Sequence, residues 1–156
     1  MDKETKIDKL RTLMRHIEDV IKNCEILGFR LIEAGEFELG LQIIANGYTH
    51  DQSKFKGIEW LHLTKPDDDD EMLNIVIKVH NTTNTHHPEY WGGIKNMPQA
   101  YIAEMVCDWK ARSSELGTDL KDWIETKATK KYTFCKKDKV YKDILRYVEL
   151  LLEPGL

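Results

Sequence analysis

The dipeptide His50-Asp51, within Tyr48-Thr49-His50-Asp51-Gln52-Ser53-Lys54-Phe55, sets an imidazole beside a carboxylate. Both are good ligands for a divalent metal such as Zn, Mn or Fe, and neighbours in sequence can face one point. His-Asp pairs are common, so the meaning of this one depends on its company. His16 lies upstream, His80 and the pair His86-His87 lie downstream, and Asp108 comes later. Lys54 comes three residues after the aspartate, placed to meet an anionic substrate.

These residues must be held by helices. Over 6–34, Leu10, Leu13, Met14, Ile17, Val20, Ile21, Cys24 and Leu27 recur at spacings of three and four, the mark of one buried stripe. His16 sits at the edge of that stripe and, taken alone, reads as a boundary histidine satisfied by a hydrogen bond. Ala34-Gly35 ends the helix. A second helix over 36–48 carries Phe37, Leu39, Leu41, Ile43 and Ile44 and delivers His50-Asp51 at its C-terminal end. Ile58, Trp60, Leu61 and Leu63 form a short apolar patch, in which His62 reads as a surface or packing residue.

Pro66 and the run Asp67-Asp68-Asp69-Asp70-Glu71 break the chain and start another helix, since carboxylates favour the positive end of the helix dipole. The run lacks the spaced ligands and glycine of a calcium loop. The helix continues through Met72, Leu73, Ile75, Val76, Ile77 and Val79 to His80, with Asn84 on the same face. The next segment, Asn84-Thr85-His86-His87-Pro88-Glu89-Tyr90-Trp91-Gly92-Gly93, is a loop holding two histidines and two large aromatics. Binding residues often lie on loops held by a rigid scaffold. On that reading Tyr90 and Trp91 are candidate binding residues, although a core-plugging role suits them equally.

Met97-Pro98 opens a helix to Leu116 whose apolar face is Tyr101, Ile102, Met105, Val106 and Trp109. Asp108 lies beside that face, with Glu104 and Arg112 four residues to either side. A buried aspartate is costly without a partner, and a metal or Arg112 would supply one. Thr118 is placed to cap a helix over 119–126, the stretch 127–139 is basic and poorly patterned, and a last helix covers 140–152. No strand, repeat, linker or phosphate-binding glycine loop is evident. The pattern predicts an all-α protein, a compact bundle of about five or six main helices forming one domain over 1–156.

Composition narrows the function classes. The chain has 156 residues, 41% hydrophobic and 32% charged, an ordinary balance for a single core. A net charge of -4 gives no general attraction to nucleic acid. The local exception, Lys127, Lys130, Lys131, Lys136, Lys137 and Lys139, reads as a solvated helix end and loop. Cys24, Cys107 and Cys135 make no disulfide framework, which suits a reducing compartment, and the first two read as small core residues. No apolar run nears the about 20 residues that span a membrane, and the charged N-terminus is not a secretory signal, so a cytoplasmic protein is expected.

The order His16, His50-Asp51, Asp108 resembles the H…HD…D signature of the HD-domain superfamily of metal-dependent phosphohydrolases, over residues 10–117. His50-Asp51-Gln52-Ser53-Lys54 is similar to the frequent His-Asp-x-x-Lys form of that family. The Asn84-x-His86-His87-Pro88-Glu89-Tyr90-Trp91 run also resembles an uncharacterised phage and bacterial branch. The resemblance implies an all-helical HD-like fold and one or two divalent ions (Mn, Fe, Zn, Co or Mg). His16, His50, Asp51 and Asp108 would hold one. Asp51 would bridge to a second on His80 and on His86 or His87.

The same resemblance implies hydrolysis of a phosphate ester of a nucleotide or cyclic nucleotide. Asp51 and Lys54 would be catalytic, Lys54, Asn84, Tyr90, Trp91 and Arg112 would contact substrate, and Glu104 or Arg112 would orient a ligand from behind. Three departures hold the implied number of metals to two at most. The His80-to-His86 spacing is short, the Gly-Tyr-Pro signature of the cyclic-dinucleotide subgroup is missing, and Thr12 stands where a third-metal carboxylate would be. Related histidine-rich dinuclear iron oxygenases, and a non-catalytic nucleotide sensor on the same fold, are the alternatives.

Overall fold

The computed structural model describes residues 3–65 and 69–155. The expected chain break at Pro66, Asp67 and Asp68 lies outside them, as do Met1 and Asp2. Among the described residues the fold is all-α. Five helices have thirteen residues or more: α1 (Lys3–Glu33), α2 (Phe37–Thr49), α4 (Asp70–Thr83), α5 (Gln99–Leu116) and α8 (Lys139–Leu152). Shorter pieces are α3 (Gly57–Thr64), α6 (Leu120–Trp123) and α7 (Thr129–Lys131), the last two joined by a π-helical turn, Ile124–Ala128.

Helix α5 is the centre. Ile102, Ala103, Met105, Val106, Cys107, Trp109 and Ala111 are all buried, so the helix is covered nearly all round. On α1 the stripe narrows toward its second half, where Val20, Cys24, Leu27 and Leu31 are inaccessible. Met14, expected in that stripe, is 43% exposed. Helix α8 buries Val140, Ile144, Tyr147, Val148 and Leu151, one face of regular helical spacing. Arg30, itself buried, donates to the carbonyls of Leu150 and Glu153, satisfying the C-terminal end of α8 from α1.

Helices α1 and α2 form an antiparallel hairpin whose close approach depends on glycine. A Cβ on Gly40 would stand 2.5 Å from the Gly28 carbonyl oxygen and 2.6 Å from Ile32 Cγ1. The carbonyl belongs to the opposing backbone and cannot swing away. Alanine gains about 1 kcal/mol of helix propensity over glycine, whereas overpacking costs about 1–3 kcal/mol and more against rigid backbone. Gly40→Ala is therefore expected to lower stability by about 1–2 kcal/mol in urea unfolding, and a stabilised variant would contradict this contact.

Three expectations at the level of elements are corrected. The apolar patch at 57–64 is a helix, α3, which turns Glu59 inward to 7% exposure. Asp119, not Thr118, caps α6, accepting from the Asp122 amide at 2.8 Å. Helical structure also runs past residue 126 to Lys131, through a π turn in which Ile124 and Ala128 are buried. At α4, Asp69 accepts from the Met72 amide at 3.0 Å, as acidic capping predicts. Of the apolar residues in that helix Leu73, Ile75 and Ile77 are exposed and Val76 is buried.

Candidate metal centre

Five segments bring the histidines together. His16 comes from the cleft side of α1, and His50 ends α2. Asp51 is next, in a left-handed turn (φ 57°, ψ 16°), a conformation that aspartate tolerates better than most residues. The turn re-aims the chain, so that consecutive side chains both point inward, at 2% exposure each. His80 comes from the last turn of α4, His86 and His87 from the loop after it, and Asp108 from α5. Ring centroids of His50 and His86 are 4.2 Å apart, of His86 and His87 4.3 Å, and of His80 and His87 4.8 Å.

Behind these rings stands a second row of carboxylates. His50 Nδ1 pairs with Glu104 Oε1 at 3.0 Å, and His86 Nδ1 lies 3.4 Å from the same oxygen. His80 Nδ1 pairs with Glu59 at 2.6 Å and His16 Nδ1 with Glu115 at 2.6 Å. For His16, His50 and His80 the outer nitrogen is hydrogen-bonded to a glutamate, which leaves Nε2 facing the centre. This is the arrangement by which proteins orient metal-binding imidazoles and raise their basicity. Glu104 was legible from its place beside Asp108. Glu59 and Glu115 were not, since a glutamate on a helix ordinarily reads as solvated.

The inward atoms converge on Asp51. Its Oδ1 is 3.3 Å from His80 Nε2 and 3.4 Å from His86 Nε2, and its Oδ2 is 3.7 Å from His50 Nε2 and 2.7 Å from Lys54 Nζ. Asp108 reaches His16 Nε2 at 2.9 Å and stands 3.9 Å from both His50 and His86. Three of these buried atoms, His50 Nε2, Asp51 Oδ1 and His86 Nε2, have no hydrogen-bond partner. Buried polar atoms without partners are rare and costly, and a cluster of three facing one another suits a cation. Three overlapping sets have ligand atoms within 4.8 Å of each other: His16, His50 and Asp51; His50, His86 and Asp108; and His80, His86 and His87.

Electrostatics separates the histidines. Burial pushes His50 down, but Glu104, Asp51 and Asp108 outweigh it and hold it at about 9. Burial and the His50 charge hold His86 well below the usual range, and burial with His80 brings His87 to about 4, so both rings keep free lone pairs. Burial pushes Asp51 up, yet His80, His50, Lys54 and His86 together hold its carboxyl well below the ordinary range. Asp108 is likewise depressed, with burial opposed by His16, His50 and His86.

The centre opens on a cleft of about 500 Å³. His16, Asp51, His80, His87 and Asp108 form its floor, with Lys54 and Arg112 at its sides. Arg112 pairs with Glu115 at 3.0 Å, so it braces the carboxylate that holds His16. The three other residues expected at a substrate lie outside this lining. Asn84 donates to the His80 carbonyl at 3.0 Å and to Ser53 Oγ at 3.0 Å, closing the end of α4 instead. Trp91 packs on Tyr101 and donates its indole N–H to the Thr85 carbonyl at 2.8 Å, which satisfies it as part of the core. Tyr90 is 46% exposed beside it. The aromatics of the cleft are Trp109, Trp123 and Tyr132.

Fold and site together define an all-helical protein with a buried histidine–carboxylate centre at the base of an open cleft. The chain belongs to DUF5662, a family of unknown function, whose profile matches residues 5–152. No curated protein and no solved structure matches it. Among the described residues no helix is long and apolar enough to cross a membrane.

Proposed function

We propose that this chain is a metal-dependent phosphohydrolase of HD type, acting on the phosphate ester of a small molecule of the nucleotide class. The observation that carries the reading is the convergence of His50 Nε2, Asp51 Oδ1 and His86 Nε2, buried and without hydrogen-bond partners. The H…HD…D order of His16, His50-Asp51 and Asp108 supports it, as does the glutamate behind each of His16, His50 and His80. His16, His50, Asp51 and Asp108 would hold one divalent ion, and His80, His86 and His87 a second, with Asp51 serving both. Ions in such a pair acidify water and neutralise phosphoryl oxygens.

The protein side chains do the rest. Lys54 is held by Asp51 yet remains one-third exposed on the cleft, so it can donate to a phosphoryl oxygen while fixed in place. The Glu115–Arg112 pair keeps His16 aimed at Asp108. Glu104 fixes His50 directly and braces His86, keeping both inner nitrogens directed at the floor.

The test is a substrate panel of phosphomonoesters, nucleotides and cyclic nucleotides with protein reconstituted in turn with Mn, Fe, Zn, Co and Mg. Turnover that a chelator abolishes and one of these ions restores is expected. Fully loaded protein that hydrolyses none of the panel, or protein that takes up no ion, overturns the proposal.

A further inference from the structure

The wall of the cleft is aromatic on one side, and a local irregularity builds it. Trp123 and Tyr132 are nine residues apart. At about 100° per residue an unbroken α-helix would put them on opposite faces. The π turn between them takes in one extra residue and rotates the downstream helical turn by about 100°, returning Tyr132 toward the face of Trp123. Both then meet Trp109: Trp123 edge-on, with centroids 5.0 Å apart, and Tyr132 nearly parallel, at 5.8 Å and 14°. Trp109 is buried and directly adjoins Asp108 in the chain, so the wall is tied to the floor of the site. Trp123 and Tyr132 remain half-buried, with surface turned to the cleft. Lys131 stands 5.0 Å from the centroid of Tyr132 and lines the same cleft.

Half-buried aromatic faces beside a cation, over a floor that a bound divalent cation would make receptive to phosphate, match a ligand with a flat ring at one end and negative charge at the other. Stacking on an aromatic side chain is tolerant of which base is bound. A concave cleft of about 500 Å³ in a chain of net charge -4 suits a single nucleotide better than a nucleic-acid strand. We propose that Trp123 and Tyr132 form a stacking shelf for the base of a nucleoside monophosphate whose phosphate lies over the histidine–carboxylate floor. This assignment rests on the phosphohydrolase proposal and adds to it where the base is held and which residues select for it.

The experiment compares binding by calorimetry. Cation-loaded wild-type protein is titrated with AMP, GMP, CMP, UMP and, as the baseless control, ribose 5-phosphate. At least one nucleotide is expected to bind about tenfold or more tightly than ribose 5-phosphate. Trp123→Leu and Tyr132→Leu are each expected to remove most of that advantage and leave ribose 5-phosphate binding unchanged, while Tyr132→Phe keeps it. Equal binding of all five ligands by the wild type overturns the shelf. So does a leucine variant, folded by circular dichroism, that retains the base preference or weakens all five ligands alike. Should a leucine variant not fold, the wild-type comparison and Tyr132→Phe decide. Base preference without turnover upholds the shelf and removes the hydrolase reading; turnover without base preference does the reverse.

Discussion

Asp51→Asn is expected to reduce hydrolysis by about 1000-fold and to lower the bound metal by at least one ion per chain. Asp51 is the carboxylate whose two oxygens are shared between both groups of histidines, with Oδ1 toward His80 and His86 and Oδ2 toward His50 and Lys54. Asparagine is the informative replacement because it keeps the size of the side chain and tolerates the left-handed backbone there. Alanine would add about 1–2 kcal/mol of left-handed strain and confuse a folding defect with a lost ligand. Metal content by mass spectrometry and kcat on the best substrate check the result together. An asparagine variant with full loading and full rate would remove Asp51 from the centre.

If the centre holds the two proposed ions, Glu104→Gln is expected to weaken the binding of both by about 10–100-fold. One oxygen of Glu104 pairs with the Nδ1 of His50 and lies close to that of His86, and the residue is 4% exposed. Glutamine can place its one acceptor oxygen where Oε1 stands, but it is neutral, so both imidazoles lose the negative charge behind them that raises their basicity as ligands. Glu59 gives the control, since it braces His80 alone. Glu59→Gln should weaken one ion and spare the other. Metal titration of both variants separates the two: equal, single-ion effects would mean that Glu104 does not serve two histidines.

How much of this was written in the residues differs from element to element. Helices α1 and α8 are legible from spacing, because each buries one face in steps of three and four, whereas α5 is buried nearly all round and is marked by the proline before it and the glycine after it. The cluster is legible from residue order, since His16, His80, His86, His87 and Asp108 gain meaning only in company with His50-Asp51, and the fold brings them together. The glutamates behind it could not be read in the same way, since Glu115 lies 99 residues from His16 in the chain and nothing local connects them. Helix α3 has eight residues and no capping side chain, so its boundaries leave no signal. The aromatic wall was misplaced for a geometric reason. Tyr90 and Trp91 stand next to the histidines in sequence, whereas Tyr132 joins Trp123 only through a π turn that regular periodicity hides.

The long-range glutamate pairs also bear on how the chain assembles. Helical proteins usually fold fast because most of their contacts are local. Here the centre joins His16 to Glu115 and His50 to Glu104, 99 and 54 residues apart. The donor atoms meet only once α1, α2 and α5 have docked, so no partly folded chain offers the whole set. A ligand that recognises only the finished arrangement contributes to the native state and little to the barrier that leads to it. A cation bound there would act as a latch on the closed protein, lengthening its lifetime without hastening its formation.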